Sequence, residues 1–216
     1  MSTAPAQYME PSRQRFRLAA LAFAAVLALE AVWVLTPEIT LLAGRGRANA
    51  CLAARLALVR GDLWNECALA EQPFRTGLPA NTLVRLRGEA ERAAFFAPHN
   101  GMTWLVLANL DSHFDWLTHR AAAALKMSFY TGPNEASLIS SRLLVAVRFE
   151  ALADDEVKLL VSHEVRTIIT RRPEFKPSIS AAYGDAPPEG KRFLESAVGE
   201  VDPNFLPVLR FGTELR

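Results

Sequence analysis

Four residues able to bind metal or move protons lie close together in this chain: Asp111, His113, Asp115 and His119. Asp115 and His119 are four apart, a spacing that puts two side chains on one helical face and suits a pair of metal ligands. A third ligand would have to swing in from Asp111 or His113 in the connection before that helix. The stretch lacks the His-Glu-x-x-His pattern of zinc hydrolases, and Asp115 has the simpler chemistry of a helix N-cap. A second group, Ser162-His163-Glu164, sets three catalytic residue types side by side. Adjacent residues on a helix point about 100° apart, so these three cannot act on one another as a triad. No Gly-x-Ser-x-Gly, phosphate-cradling glycine loop or dinucleotide fingerprint occurs. The residues therefore predict no enzyme, no metal and no cofactor, with the Asp/His group kept as an alternative polar centre.

The elements that must position these residues read as helices. Apolar residues recur at helical spacing after residue 47, and strand-like alternation bounded by hairpin turns does not appear. The expected helices cover 48–60, 63–72, 81–96, 100–110, 115–129, 134–149, 154–171, 177–183 and 188–198. Gly61-Asp62, Pro73, Pro79, Pro98, Gly132-Pro133, Pro173 and Asp202-Pro203 separate them. The 154–171 segment shows the logic. Asp154 caps it, Asp155 and Glu156 sit in its positive first turn, and Arg171-Arg172 close it before Pro173. On this helix Glu164 shares a face with Val157, Leu160, Val161, Val165 and Ile168, whereas His163 points away. A carboxylate on an apolar face must pair or take up a proton, and Arg142 or Arg148 of the preceding helix is the expected partner. Trp104, Phe114, Trp116, Phe129 and Tyr130 supply core, or line a groove for a peptide or sugar.

The first part of the chain differs in kind. Residues 18–35 are apolar apart from Glu30, and Arg13, Arg15 and Arg17 stand directly before them. Eighteen residues of helix span ~27 Å, close to the hydrocarbon thickness of a bilayer. The run is longer than a signal-peptide core, and Val32-Trp33-Val34-Leu35-Thr36-Pro37 offers no small-x-small cleavage site. Ala48-Asn49-Ala50-Cys51 also lacks the Leu-like residue of a lipoprotein signal. Residues 16–36 are therefore expected to be an uncleaved anchor contacting membrane lipid, ending at Pro37, with Trp33 at the interface. Glu30 is close enough to the end to reach water, or else contacts another span. The arginine excess before the run predicts residues 1–15 in the cytoplasm and the bulk of the chain outside it. In a Gram-negative cell this is a single-pass inner-membrane protein whose C-terminal domain faces the periplasm.

The net charge of +1, with no basic stripe, argues against nucleic acid as a partner. Cys51 and Cys67 could pair in an oxidising compartment or remain as two buried thiols. A hairpin centred on Arg60-Gly61-Asp62 brings Cys51 nearer residue 71 than Cys67, so the register for a disulfide is imperfect.

The helices come in pairs. Trp104, then Leu107 and Ala108, the small residues 121–124 and Pro133 resemble the spacing of tetratricopeptide repeats, whose paired helices pack closely through small side chains. The resemblance is good over residues 81–172 and loose over 45–80. It implies an all-α fold with an α-α superhelix of helix pairs over 45–172, followed by capping helices and a Pro-rich tail over 173–216. The whole arrangement also resembles small bacterial envelope proteins with one N-terminal anchor, chiefly through residues 125–135. Some of those are encoded near surface-polysaccharide assembly functions. That resemblance implies a scaffold or adaptor that grips a protein partner, with Trp104, Asn109, Asp111, Arg142 and Arg148 expected on the concave face. The alternative is an accessory enzyme or weak hydrolase on envelope glycans, using Asp111, His113, Asp115 and His119.

Overall fold

Helix-breaking residues cut the chain nearly where the sequence places them. The computed structural model describes residues 10–42, 47–57, 59–75, 77–114, 118–148 and 150–211. Among these residues there is no strand, and the helices are α1 (Glu10–Leu42), α2 (Arg47–Ala57), α3 (Gly61–Leu69), α4 (Ala80–Phe96), α5 (Gly101–Asp111), α6 (Thr118–Thr131), α7 (Ile139–Arg148), α8 (Asp155–Arg171), α9 (Lys176–Asp185), α10 (Pro188–Gly199) and α11 (Leu206–Phe211). The expected Asp154 cap is in place, Asn100 caps α5 as well, and Asp115 lies outside the described residues. Asn100 accepts from the Met102 and Thr103 amides at 3.0 and 3.3 Å, and Asp154 accepts from Glu156 and Val157 at 3.0 and 3.2 Å.

Helix α1 is long and apolar enough to cross a membrane over Arg15–Thr40, near the N-terminus. Its residues 15–35, Glu30 and Trp33 among them, are exposed. Pro37 does not end it but lies within it. A proline takes away one backbone donor and leaves the carbonyl a turn earlier without its usual partner. The carbonyl released here is that of Trp33; the Thr36 hydroxyl donates to Val32 O at 2.6 Å and the Thr40 hydroxyl to Pro37 O at 2.7 Å, beside it and not to it. Pro37 itself is buried in the part of α1 along which α2 packs, so the neighbouring helix holds the extra turn in place.

Helix α2 runs back along α1. The first helix ends at Leu42 and the second begins at Arg47, and the Trp33 indole N–H, in the C-terminal third of α1, donates to Leu56 O at 3.1 Å near the end of α2. Arg60 fastens the tip, pairing with Glu38 and, at 2.6 Å, with Asp62. Cys51 and Cys67 form a disulfide with their Cα atoms 4.6 Å apart. The turn explains why the register works. It falls between Ala57 and Gly61, around Val59 midway between the cysteines, rather than at Arg60-Gly61-Asp62. Gly61 permits it, since a Cβ there would meet Ala97 Cβ at 2.6 Å and Ala97 N at 2.7 Å.

The disulfide sits in a small core with Ala53, Ala54, Ala57, Leu63, Trp64 and Ala93. A larger core runs from α3 to α11 through Leu86, Leu105, Leu110, Leu125, Leu143, Val161, Ile168, Leu194 and Leu209. From α3 to α6 each helix packs on the next, with α5 and α6 in the closest association. Buried Ala121, Ala122 and Ala124 on α6 allow that approach. The order then changes: α7 packs chiefly on α9, while α8 lies against α6 and α10.

Candidate functional site

Of the residues singled out in the sequence, some lie in the interior, three line one open cleft and others stand exposed elsewhere. Asp111 is fully buried and accepts from Arg87 Nε, with Arg120 Nε at 3.8 Å from its other oxygen. Burial raises its pKa, and Arg87 and then Arg120 oppose the shift. Arg87 and Arg120 each also reach Glu91 at 2.9 Å, so the group ties α4, α5 and α6 together. His119 is exposed, and Asp115 and Trp116 lie outside the described residues. Asp111 and His113 serve different neighbours, Asp111 those on α4 and α6, His113 those of the cleft described below. Among the described residues the metal-competent grouping is instead Cys51, Cys67 and Glu89, in which both sulfurs are held in the disulfide.

Arg142, another of the expected partner residues, is almost as enclosed as Asp111, 1 % exposed. Its Nε donates to Ser128 Oγ at 3.0 Å, and its Nη2 donates to Ser128 O and, at 2.9 Å, to Gly132 O. Those carbonyls, one in the last turn of α6 and one just beyond it, also accept from the Gly132 and Glu135 amides at 3.2 Å each, so Arg142 adds a second donor at the helix exit. The guanidinium also lies 4.8 Å over the Phe129 ring, and Nη1 stands 3.8 Å from Glu164 Oε1. The expected Arg142–Glu164 pair is thus formed. Arg148 instead pairs with Asp185 at 2.7 Å. His163 is exposed while Glu164 is buried, as their helical phase requires.

Burial pushes the Glu164 carboxyl up to about 7, and Arg142 and then Arg172 pull against that rise. A raised carboxyl pKa means that the folded state binds the proton more tightly than the unfolded one. Its contribution to stability is complete below the ordinary value of 4.5 and is lost as pH rises towards 7. Glu164→Gln should therefore gain on the wild type by on the order of 3 kcal/mol between pH 4.5 and 8. Thermal melts of the two proteins in the same detergent across that range measure this, and parallel pH curves would count against it.

The open cleft has a volume of 470 Å³ and is lined by Phe74, Arg75, Asn109, Ser112, His113, Arg148 and Asp185. Three of these, Asn109, His113 and Arg148, were expected to be functional. The other four come from the α3–α4 connection, the end of α5 and the end of α9, which no local pattern connects in sequence. Asn109 Nδ2 donates to Pro73 O at 2.7 Å and so holds the α3–α4 connection against α5. In that connection Gln72 takes a left-handed conformation, with φ of 51°. The pKa of His113 is lowered, first by loss of surrounding water and then by the Arg148 cation. The Ser112 hydroxyl donates to Asn109 O at 2.7 Å, which engages it with backbone rather than with a base. The cleft thus sets Arg75 beside the Arg148–Asp185 pair, with the Asn109 and Ser112 side chains engaged by backbone carbonyls. Trp104 stands elsewhere, its indole N–H donating to Pro98 O at 2.6 Å. Phe129 is buried, Phe114 is half-buried and packs against the large core, and Tyr130 is exposed and donates to Glu156.

Compared with known proteins, the chain matches no family model, no curated protein and no solved structure.

Proposed function

We propose that this chain is a membrane-tethered adaptor, with its helical domain outside the cytoplasm and a protein partner held in the Arg75–Arg148 cleft. The observation that carries the reading is α1, whose exposed apolar surface continues without a break into the hairpin with α2. A soluble protein would leave that surface in water at large cost. The Cys51–Cys67 disulfide adds support, since such bonds persist in oxidising compartments. This agrees with the orientation expected from Arg13, Arg15 and Arg17. In this reading helices α3–α6 act as a degenerate tetratricopeptide-like stack. The partner contributes an extended segment carrying a carboxylate, which Arg75 receives and for which Arg148 exchanges its Asp185 partner. Work within an envelope assembly, including surface-polysaccharide assembly, belongs to the same proposal.

Two measurements test it. Carbonate washing of vesicles should leave the full chain in the membrane, and the mature N-terminus should lie upstream of Thr36. Release by carbonate, or a start downstream of Thr36, would remove the tether. A photocrosslinker at Ser112 of the full chain should capture one defined partner, and Arg75→Glu should weaken that capture ~tenfold by reversing a charge at the cleft. Capture that is indifferent to the Arg75 charge would rule out the cleft as the receptor.

A further inference from the structure

The tip of the α1–α2 hairpin carries apolar residues that the fold does not cover. Leu52, Leu56 and Val59 recur at helical spacing on one side of α2 and its exit, and all three are exposed. Phe95, at the end of α4, is 79 % exposed. Val59 and Phe95 line the same depression with Trp64, Phe96, Arg55 and Arg92. The Arg92 guanidinium lies 4.9 Å over the Trp64 ring. Among the described residues neither Arg55 nor Arg92 forms an ion pair, whereas Glu91 on the same rim is already engaged by Arg87 and Arg120 at 2.9 Å each.

The position of this patch follows from the hairpin. Helix α2 returns along α1 until Leu56 meets Trp33, and Trp33 lies inside the apolar run of residues 18–35. The tip therefore stands at the level where that run would leave the hydrocarbon, and the Gly61–Ala97 contact brings the end of α4 to the same level. Apolar side chains flanked by unpaired arginines at that depth match an interfacial lipid-binding face, with the apolar groups in the acyl boundary and the cations among phosphates.

The geometry points to a second membrane contact: Leu56, Val59 and Phe95 enter the leaflet that holds α1, and Arg55 and Arg92 bind its anionic headgroups. This rests on the tether reading. The occupant is lipid rather than a partner helix, because a tip bonded to the anchor at Trp33 meets the bilayer before anything else can cover it. The domain then leans on the membrane at two places, the anchor and the tip.

The test uses the full chain in lipid vesicles. With both native cysteines in the disulfide, Phe95→Cys accepts an environment-sensitive fluorophore, and Leu159→Cys on α8 serves as a control with an exposure of 72 % for the native residue. Doxyl-labelled lipids should quench the label at 95 at least ~two-fold more than at 159, and more strongly in phosphatidylglycerol than in phosphatidylcholine. Arg55→Glu with Arg92→Glu should bring position 95 down to the control level, and the paired Lys substitutions should restore it. Equal quenching at the two positions in a chain that resists carbonate extraction overturns the contact and leaves the tether standing. Shielding of the label that persists in detergent and rises with protein concentration overturns it in favour of a second copy. Release of the chain by carbonate removes both readings at once.

Discussion

Replacing Arg142 with alanine is expected to destabilise the full chain by about 3–5 kcal/mol, the range for breaking one side of a buried ion pair. The loss has two parts. Glu164, 8 % exposed, would keep its burial and lose the stronger of the two cations that oppose the rise in its pKa. The carbonyls of Ser128 and Gly132, which now accept from Arg142 Nη2, would lose a charged second donor and keep only the Gly132 and Glu135 amides. Glu164→Leu in the alanine background should restore the first part only, because an apolar residue at 164 does nothing for those carbonyls. Urea unfolding in a mild detergent, followed by tryptophan fluorescence, resolves both steps. A single-mutant loss below about 1 kcal/mol, the range of an exposed pair, would show that Arg142 is not the tie that joins α6, α7 and α8.

Cys51→Ala with Cys67→Ala should cost about 3 kcal/mol, the loop-closure value for cysteines sixteen residues apart. The damage should concentrate in α2 and α3, whose small core is made largely of alanines and has few large side chains to compensate. Reducing the wild type should reproduce the effect in thermal melts, and a variant as stable as the oxidised wild type would mean that the bridge adds nothing. The same bond reports on compartment. Thiol alkylation of intact cells before lysis should leave both cysteines unmodified, and rapid labelling of both would place the domain on the reducing side.

Much of this architecture was legible because breakers and caps act locally. Asn100, Asp154 and Pro173 mark helix ends through bonds within a few residues, and the phase of Glu164 on α8 follows from helical pitch alone. Pro37 was misread for a tertiary reason: it is buried where α2 packs along α1, and that packing carries the helix past it. The disulfide register depended on where the chain reverses, and a shift of the turn to Val59 was enough to align the cysteines. The cleft was only half visible. Asn109, His113 and Arg148 drew attention by type, but Phe74, Arg75 and Asp185 join them only through long-range packing. Sequence proximity also misled, since Asp111 and His113 are two apart yet face different neighbours.

The continuity of α1 through Pro37 into the hairpin has a mechanical consequence. A domain hung on a flexible leash sweeps a hemisphere and must surrender that freedom when it docks. On the tether reading, the packing of α2 along α1, with the Trp33–Leu56 bond and the Arg60–Glu38 pair, limits that swivel, and the bearing of the cleft follows the tilt of α1. A ligand confined to the same lipid sheet would meet a receptor that is already aimed, with less orientational entropy left to lose on capture. Lengthening the 43–46 connection would leave those braces intact, whereas cutting both would turn a fixed bracket into a loose pendant.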